Sequence, residues 1–594
     1  MKSVPMLFVI ACAFMGFSAH AQTWTPAESS HFGADGFETA DPFRLTPLQL
    51  DSAYRWEANG LRNVNIAWNR TLSPMGGQFR WEFIEPSRGT YDWAKPDSFV
   101  KRIQAEGLHL LVLVHPFTPW DQPGKNGANY DKPNDMTAFK RFIAKMVERY
   151  DSDGIDDMPG LRYPIKYYEI GNEPEGPTFG DSPGTYNDFM QTVKAAYDTA
   201  KVAYPDVKIV IGGTSPIYDS RGFSNPIDAF WKGALNRTNV GSYFDIFNIH
   251  FFVGQYTKDI KDYLDYWKNL LSTYGVSNKE IWITETGTYT GTSSGPDNQP
   301  WPYQSSEYQA GWWVKHVAYG LANGVTKFFW VFYYSDQNDW RTTVAFVDRD
   351  KTTKKPVFYT HRLLAEKIDA FSSVVQNSYS ATAQNQTSGN FRFTVDGKPV
   401  YIVWNDAGGN VTLSGLSATQ VKVTKAIPQL DQNGRVILDG SGNPTFETST
   451  QIVANGQVTL PVSTVPLYVE ESITPPAAPT LVSPVDGATG VSITPTLIWN
   501  KSTSATSYWL QVSTTSSFLT TVFDSTIADT SRQVGPLTNN TTYYWRVSAK
   551  NSAGSSGFSA SRSFTTLAPT SVERIGTEVL TEYNLSQNYP NPFN

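Results

Sequence analysis

Between residues 22 and 372 the sequence alternates short apolar runs with longer stretches of helical period, and that alternation leaves few folds open. The runs at 31–34, 64–68, 108–114, 165–172, 208–213, 245–250, 280–285 and 327–332 each read as a strand. Amphipathic stretches at 48–60, 96–107, 136–150, 186–203, 258–274, 304–323 and 356–371 lie among them. Pro96 opens one of these and Gly107 closes it, as expected of a helix that begins where a missing N–H costs nothing. Parallel neighbours in a sheet need a crossover, usually helical, between them. Eight such units predict a (β/α)8 (TIM) barrel, whose chemistry sits at the carboxyl ends of the strands.

Two of these strands end in a glutamate. In Tyr167-Tyr168-Glu169-Ile170-Gly171-Asn172-Glu173-Pro174 the proline has no N–H for a ladder, so the strand stops and Glu173 stands at its end. Glu280-Ile281-Trp282-Ile283-Thr284-Glu285-Thr286-Gly287 ends strand seven in a similar way with Glu285. Paired carboxylates on one barrel rim suit glycoside hydrolysis. One protonates the leaving oxygen, and the other attacks the anomeric carbon or activates water.

With Asn172-Glu173-Pro174 on strand four and Ile283-Thr284-Glu285-Thr286-Gly287 on strand seven, residues 30–370 resemble clan A of the glycoside hydrolases. This is the retaining group that includes families 5 and 39. The resemblance implies Glu173 as general acid/base and Glu285 as nucleophile, with no cofactor and no metal. It implies that Asn172 bonds the sugar 2-hydroxyl and that Arg70 holds the nucleophile ionised. Arg80 competes for that second role, because residues 71–78 are inserted between the two arginines. His115 and His250, closing strands three and six, would flank the sugar, and Trp330 on strand eight would floor its subsite. The clan often carries a tyrosine two residues after the strand-six histidine; Phe252 stands there, leaving Tyr256 as a candidate. Trp120, Trp301, Tyr334 and Trp340 fall in loops after strands three, seven and eight, where outer sugars would stack.

Composition narrows the partners. A net charge of −7 argues against nucleic acid, and 14% aromatic residues suit a sugar-stacking protein. The acidic run Asp151–Asp157 reads as a solvated loop, with Ca²⁺ as the alternative occupant. No His/Cys metal spacing, phosphate loop or dinucleotide fingerprint occurs. Residues 1–21 form a signal peptide containing the sole cysteine, Cys12, so the mature chain has no disulfide. No later stretch is long and apolar enough to insert in a membrane, and the expected location is secreted or cell-surface.

Past residue 372 the helical period gives way to short alternating runs. Residues 373–473 are expected to form a β-sandwich packed on the barrel, and 474–479 a proline-rich linker. Residues 477–567 resemble a fibronectin type III module, through Trp499, Tyr508 and Tyr544-Trp545-Arg546-Val547. In 568–594 the ending Asn588-Tyr589-Pro590-Asn591-Pro592-Phe593-Asn594 resembles the start of a type IX secretion sorting domain, so the chain is expected to continue further. The functional expectation is an exported retaining β-glycosidase of plant-type polysaccharide (β-glucan, xylan or mannan), endo-acting, with an exo-acting β-xylosidase-like enzyme as the alternative. From another class, the rival is a non-catalytic carbohydrate-binding or adhesion protein.

Overall fold

The computed structural model describes residues 24–38, 47–71, 79–124, 132–175, 185–215, 218–219, 222–223, 225–253, 259–290, 304–336, 340–383, 386–472, 475–551 and 553–569. The expected signal peptide, Tyr256, Trp301 and the sorting motif lie outside them. Two compact units emerge, one up to Glu471 and one from Ser472.

The first unit is built on a closed barrel of eight parallel strands: β1 Phe32–Asp35, β2 Trp68–Arg70, β3 His109–Val114, β4 Tyr167–Ile170, β5 Lys208–Ile211, β6 Ile246–Val253, β7 Glu280–Thr288 and β8 Val325–Trp330. Each pairs with its neighbours in sequence, and β8 returns to β1. The crossovers carry α1 Pro47–Asn63, α2 Ala94–Ala105, α3 Met136–Arg149, α4 Thr185–Ala203, α5 Asn225–Leu235, α6 Ile260–Thr273 and α7 Ser306–Ala322, and α8 Pro356–Ile368 follows β8. One strand differs from expectation. Residues 64–67 do not form β2 but end α1, with Asn65 in the left-handed region and the Ile66 N–H returning to the Leu61 carbonyl. The strand proper begins at Trp68.

Period-two alternation fills the barrel in layers. At the amino-terminal end Trp68, Leu111, Val210, Ile246, Trp282 and Phe329 form an apolar plug, with Tyr167 stacked on Trp282 at 5.1 Å. Lys327 closes this plug from below, its ammonium 4.3 Å from the Trp68 ring and bonded to the Glu28 and Ser30 carbonyls. Two residues further along the same strands the side chains turn polar: Arg70, Glu169, Asn248 and Thr284, all buried. The plug blocks one end and the polar layer floors the other, so ligand access is from the carboxyl rim.

The remainder of the first unit is a six-stranded sheet (Phe371–Ala383, Gln386–Val395, Lys398–Asn405, Leu467–Ser472, Gln420–Pro428, Phe446–Ile452) and a two-stranded one (Asn410–Ser414, Gln457–Pro461). Its faces alternate along each strand. Ile402 and Trp404 join Phe391, Phe393, Ile427 and Tyr468 in the barrel's own core cluster, against α7 and α8. Tyr401 and Val403 face the other way, into a separate core with Leu413 and Leu460. The second unit has a three-stranded sheet and a larger one centred on Ser507–Ser513 and Thr542–Asn551, closed over Trp499, Tyr508, Trp545 and Phe564. Among the described residues no helix is long and apolar enough to cross a membrane.

Candidate active site

The two glutamates reach the barrel mouth through local departures from regular strand geometry. On β7 the ladder to β6 runs Ile283 to Ile249 and then Glu285 to His250, a register shift that inserts Thr284. With Trp282 and Thr284 already pointing inward, regular alternation would send Glu285 outward; the bulge turns it back in. At the end of β4, Gly171 has φ 75° and Glu173 has φ 44°, and the Glu173 N–H is pinned to the Gly213 carbonyl at 2.9 Å. A left-handed glutamate is unfavourable on its own and is held here by its neighbours.

The result is a cluster in which Glu173, His250 and Glu285 bring polar atoms within 4.8 Å of one another. The His250 Nδ1 lies 2.8 Å from Glu173 Oε1 and 3.6 Å from Glu285 Oε2. Arg70 donates to Glu285 at 2.8 Å and to Asn172 Oδ1 at 2.6 Å. It also forks onto Glu169 at 2.6 and 2.8 Å. Arg80 instead pairs with Glu82 near the surface, so the arginine that serves Glu285 is Arg70.

The environments of the two carboxyls differ. Burial lifts Glu173 to about 7, with Arg70 opposing and Glu169 adding to the shift. Burial also raises Glu285, but His250 and Arg70 both oppose it, and only Glu285 of the two accepts a hydrogen bond from Arg70. Burial works against the Arg70 charge, yet Glu169, Asp35 and Glu285 outweigh it and hold the guanidinium charged. His250 is pushed down to about 4 by burial, and His115 to about 3 by burial with help from Arg80, so both rings are neutral near pH 7.

Of the residues singled out in the sequence, Glu173, Glu285, Asn172, Arg70 and His250 come together here. His115 sits just past β3, edge-on to Phe117. Trp330 is corrected: instead of offering a sugar floor it is fully buried, stacked on Phe346 at 5.2 Å, edge-on to Trp313, with its N–H on the Val344 carbonyl. Tyr334 is likewise buried, against Trp56, with Lys351 over its ring, because residues 334–335 pair with 37–38 in a small sheet. Trp120 is half-buried, edge-on to Trp81 and bonded to the Glu85 carbonyl, with Arg88 on its ring. The oxygens of Asp151, Asp153 and Asp157 also approach within 4.8 Å, but they accept from the loop's own N–H groups, including those of Ser152, Gly154 and Ile155.

Four functional positions escape the sequence reading: Glu169, Asn248, Thr284 and Gly213. Glu169 accepts from Arg70, from Asn248 at 2.9 Å and from the Gly213 N–H at 3.3 Å. A signal existed for three of them. Glu169 and Asn248 are each two residues beyond an inward apolar residue or before an inward histidine, and Thr284 adjoins Glu285.

A closed parallel barrel with two carboxyls converging at its carboxyl rim is the framework of a glycosidase. The model of glycosyl hydrolase family 53 matches residues 79–326, which contain Asn172, Glu173, His250 and Glu285 but not Arg70. That match supports a glycoside hydrolase of clan A. No curated protein matches the chain. Similar solved structures include a family 39 glycoside hydrolase from Bacteroides cellulosilyticus WH2, 16% identical over 74% of this chain and 81% of that one, with a TM-score of 0.49. A glucosidase from Croceicoccus marinus is 12% identical over 75% of this chain and 96% of that one, also at 0.49. A family 51 α-L-arabinofuranosidase from Bifidobacterium longum is 13% identical over 76% and 98%, at 0.46.

Proposed function

We propose that this chain is an exported, retaining β-glycoside hydrolase that cuts plant-type polysaccharide (β-glucan, xylan or mannan) internally by double displacement. The observation that supports it is the close approach of Glu173 and Glu285, whose nearest oxygens are no more than 4.8 Å apart around the His250 ring. Inverting enzymes leave room for a water between their carboxyls, about 6.5–9.5 Å, whereas retaining ones need only about 5–5.5 Å.

In the first step Glu285 attacks the anomeric carbon while Glu173 gives its proton to the departing glycosidic oxygen, leaving a glycosyl ester on Glu285. In the second, Glu173, now a carboxylate, takes a proton from water as that water attacks the same carbon, and Glu285 leaves. Arg70 stabilises the carboxylate of Glu285 before attack and after release, and it orients Asn172 toward the sugar 2-hydroxyl. Asp35 is buried 3.5 Å from the Arg70 guanidinium; burial pushes its carboxyl well above the usual range and Arg70 opposes that shift.

The test is the purified chain on a panel of β-glucan, xylan, mannan and galactan, with product sizes and the anomeric configuration at first release. Retention of configuration, early oligosaccharides of mixed length, and loss of turnover in Glu285→Gln are expected. Single-sugar release would make the enzyme exo-acting. Saccharide binding without any turnover in the unaltered chain would make it a lectin and end the hydrolase reading.

A further inference from the structure

The His250 ring has two nitrogens and, when neutral, one proton. Everything around it determines which nitrogen holds that proton. The chain of partners starts at Glu169, whose oxygens accept from Arg70, from the Gly213 N–H and from the Asn248 side-chain amide. Since a carboxylate taking these bonds must face an N–H of Asn248, the amide can be oriented only one way, with Nδ2 toward Glu169 and Oδ1 toward β7. There Oδ1 accepts the Thr284 backbone N–H at 3.3 Å, a donor-only group that confirms the orientation, and lies 2.9 Å from the Thr284 hydroxyl. A hydroxyl beside an acceptor-only oxygen donates to it. Its proton is then spent, so toward His250 Nε2, 3.2 Å away, Thr284 can act only as acceptor.

We propose that Asn248 and Thr284 are positioning residues that fix His250 as its Nε2–H tautomer, so that the bare Nδ1 accepts a hydrogen bond from the protonated Glu173 carboxyl. The inference rests on the reading of Glu173 as the acid. It gives that residue a reason to stay protonated beyond burial alone: a lone pair at 2.8 Å bonds the acid form and repels the carboxylate. The same lone pair keeps Glu173 basic in the second step, when it must take a proton from water. Other charged groups facing the ring are Glu285, at 3.6 Å from Nδ1, with Arg70 and Glu169 behind it. None of them offers Nδ1 a proton at hydrogen-bond distance. Gly213 makes the arrangement possible, since a Cβ there would stand 2.0 Å from Nε2.

Two measurements test this on the full chain. The first is ¹⁵N NMR of histidine-labelled protein near pH 6, with the His250 signals assigned by their loss in His250→Gln. The expected spectrum has an unprotonated Nδ1 and a protonated Nε2; a protonated Nδ1 overturns the proposal. The second is the pH profile of kcat/KM for Thr284→Val and Thr284→Ser. In the valine variant Nε2–H loses its acceptor, the proton moves to Nδ1 and then favours ionised Glu173. The alkaline limb should therefore fall to lower pH by about one unit, about tenfold in rate on that limb, while serine, keeping the hydroxyl, leaves it in place. An unmoved limb in the valine variant overturns the proposal. Should valine fail to fold, the NMR result decides alone. Failure of the function reading is distinguishable: it shows as no hydrolysis by the unaltered chain, whereas the tautomer is read without substrate.

Discussion

Glu173 concentrates the chemistry of the site in one titration. Its carboxyl is lifted to about 7 by burial, and in the proposed mechanism it acts first as an acid, so kcat/KM should fall as pH rises through about 7. In the proposed mechanism the acidic limb belongs to Glu285, which must be ionised to attack and which the hydrogen bond from Arg70 favours in that form. Glu173→Gln removes the alkaline limb and should cost about 10²–10⁴-fold on polysaccharide. On an aryl glycoside whose leaving group needs no proton the first step should be nearly spared. Equal losses on both substrates would mean Glu173 is not the acid. The sequence pointed to both glutamates because strand ends marked by Pro174 and Gly287 are legible as strand ends. It did not give Glu169 a role: the two-residue spacing from Tyr167 marks an inward side chain, but nothing local names Arg70 and Asn248 as its partners.

Elements carry the aim of these side chains. The bulge in β7 turns Glu285 inward, and the close packing of β5 on β6 lets the His250 ring lie against the backbone. Gly213 is the contact point: its N–H bonds Glu169, its carbonyl takes the Glu173 N–H, and its Cα leaves room for the ring. Gly213→Ala should displace the His250 ring and cost about tenfold or more in kcat/KM, because a misplacement on the order of 1 Å is enough. Circular dichroism should still report a folded barrel; wild-type kinetics in this variant would show that the ring's seat is not critical. Helix α5 is not among the stretches that the sequence predicts, although Ile227, Phe230, Trp231, Ala234 and Leu235 recur at helical spacing. At three turns it lies near the short end of what period alone makes visible.

At the scale of the molecule, the barrel and the first β-sandwich share a core, while the segment from Ser472 has a core of its own. A chain ending at residue 472 should fold and keep full activity. One ending at residue 370 would expose the apolar face of α7 and α8 that Trp404, Phe391, Ile427 and Tyr468 cover, and it should aggregate or melt far lower in a thermal scan. Stability should also depend on pH through acids buried in their neutral form. Glu175, beside the site and raised to about 8 by burial, binds its proton more tightly folded than unfolded, as does Glu173 at about 7. Their contribution is complete below the ordinary glutamate range near 4.5 and is lost as pH rises toward 8. Glu175→Gln should flatten the decline in melting temperature between pH 5 and 8; an unchanged slope would show that Glu175 carries no such load.

What the sequence determined by itself was periodic: eight strands and most of their helices, the strand-end glutamates, and the change of texture past residue 372. Local spacing encodes those features, since a two-residue or 3.6-residue period is written in neighbours along the chain. Only tertiary structure decided that Arg70 rather than Arg80 meets Glu285, that Trp330 and Tyr334 are packing rather than sugar platforms, and that Glu169, Asn248 and Thr284 stand behind His250. Those outcomes depend on which side chains from different strands arrive at the same height inside a closed barrel, a matter of register and shear that neighbours in sequence do not record.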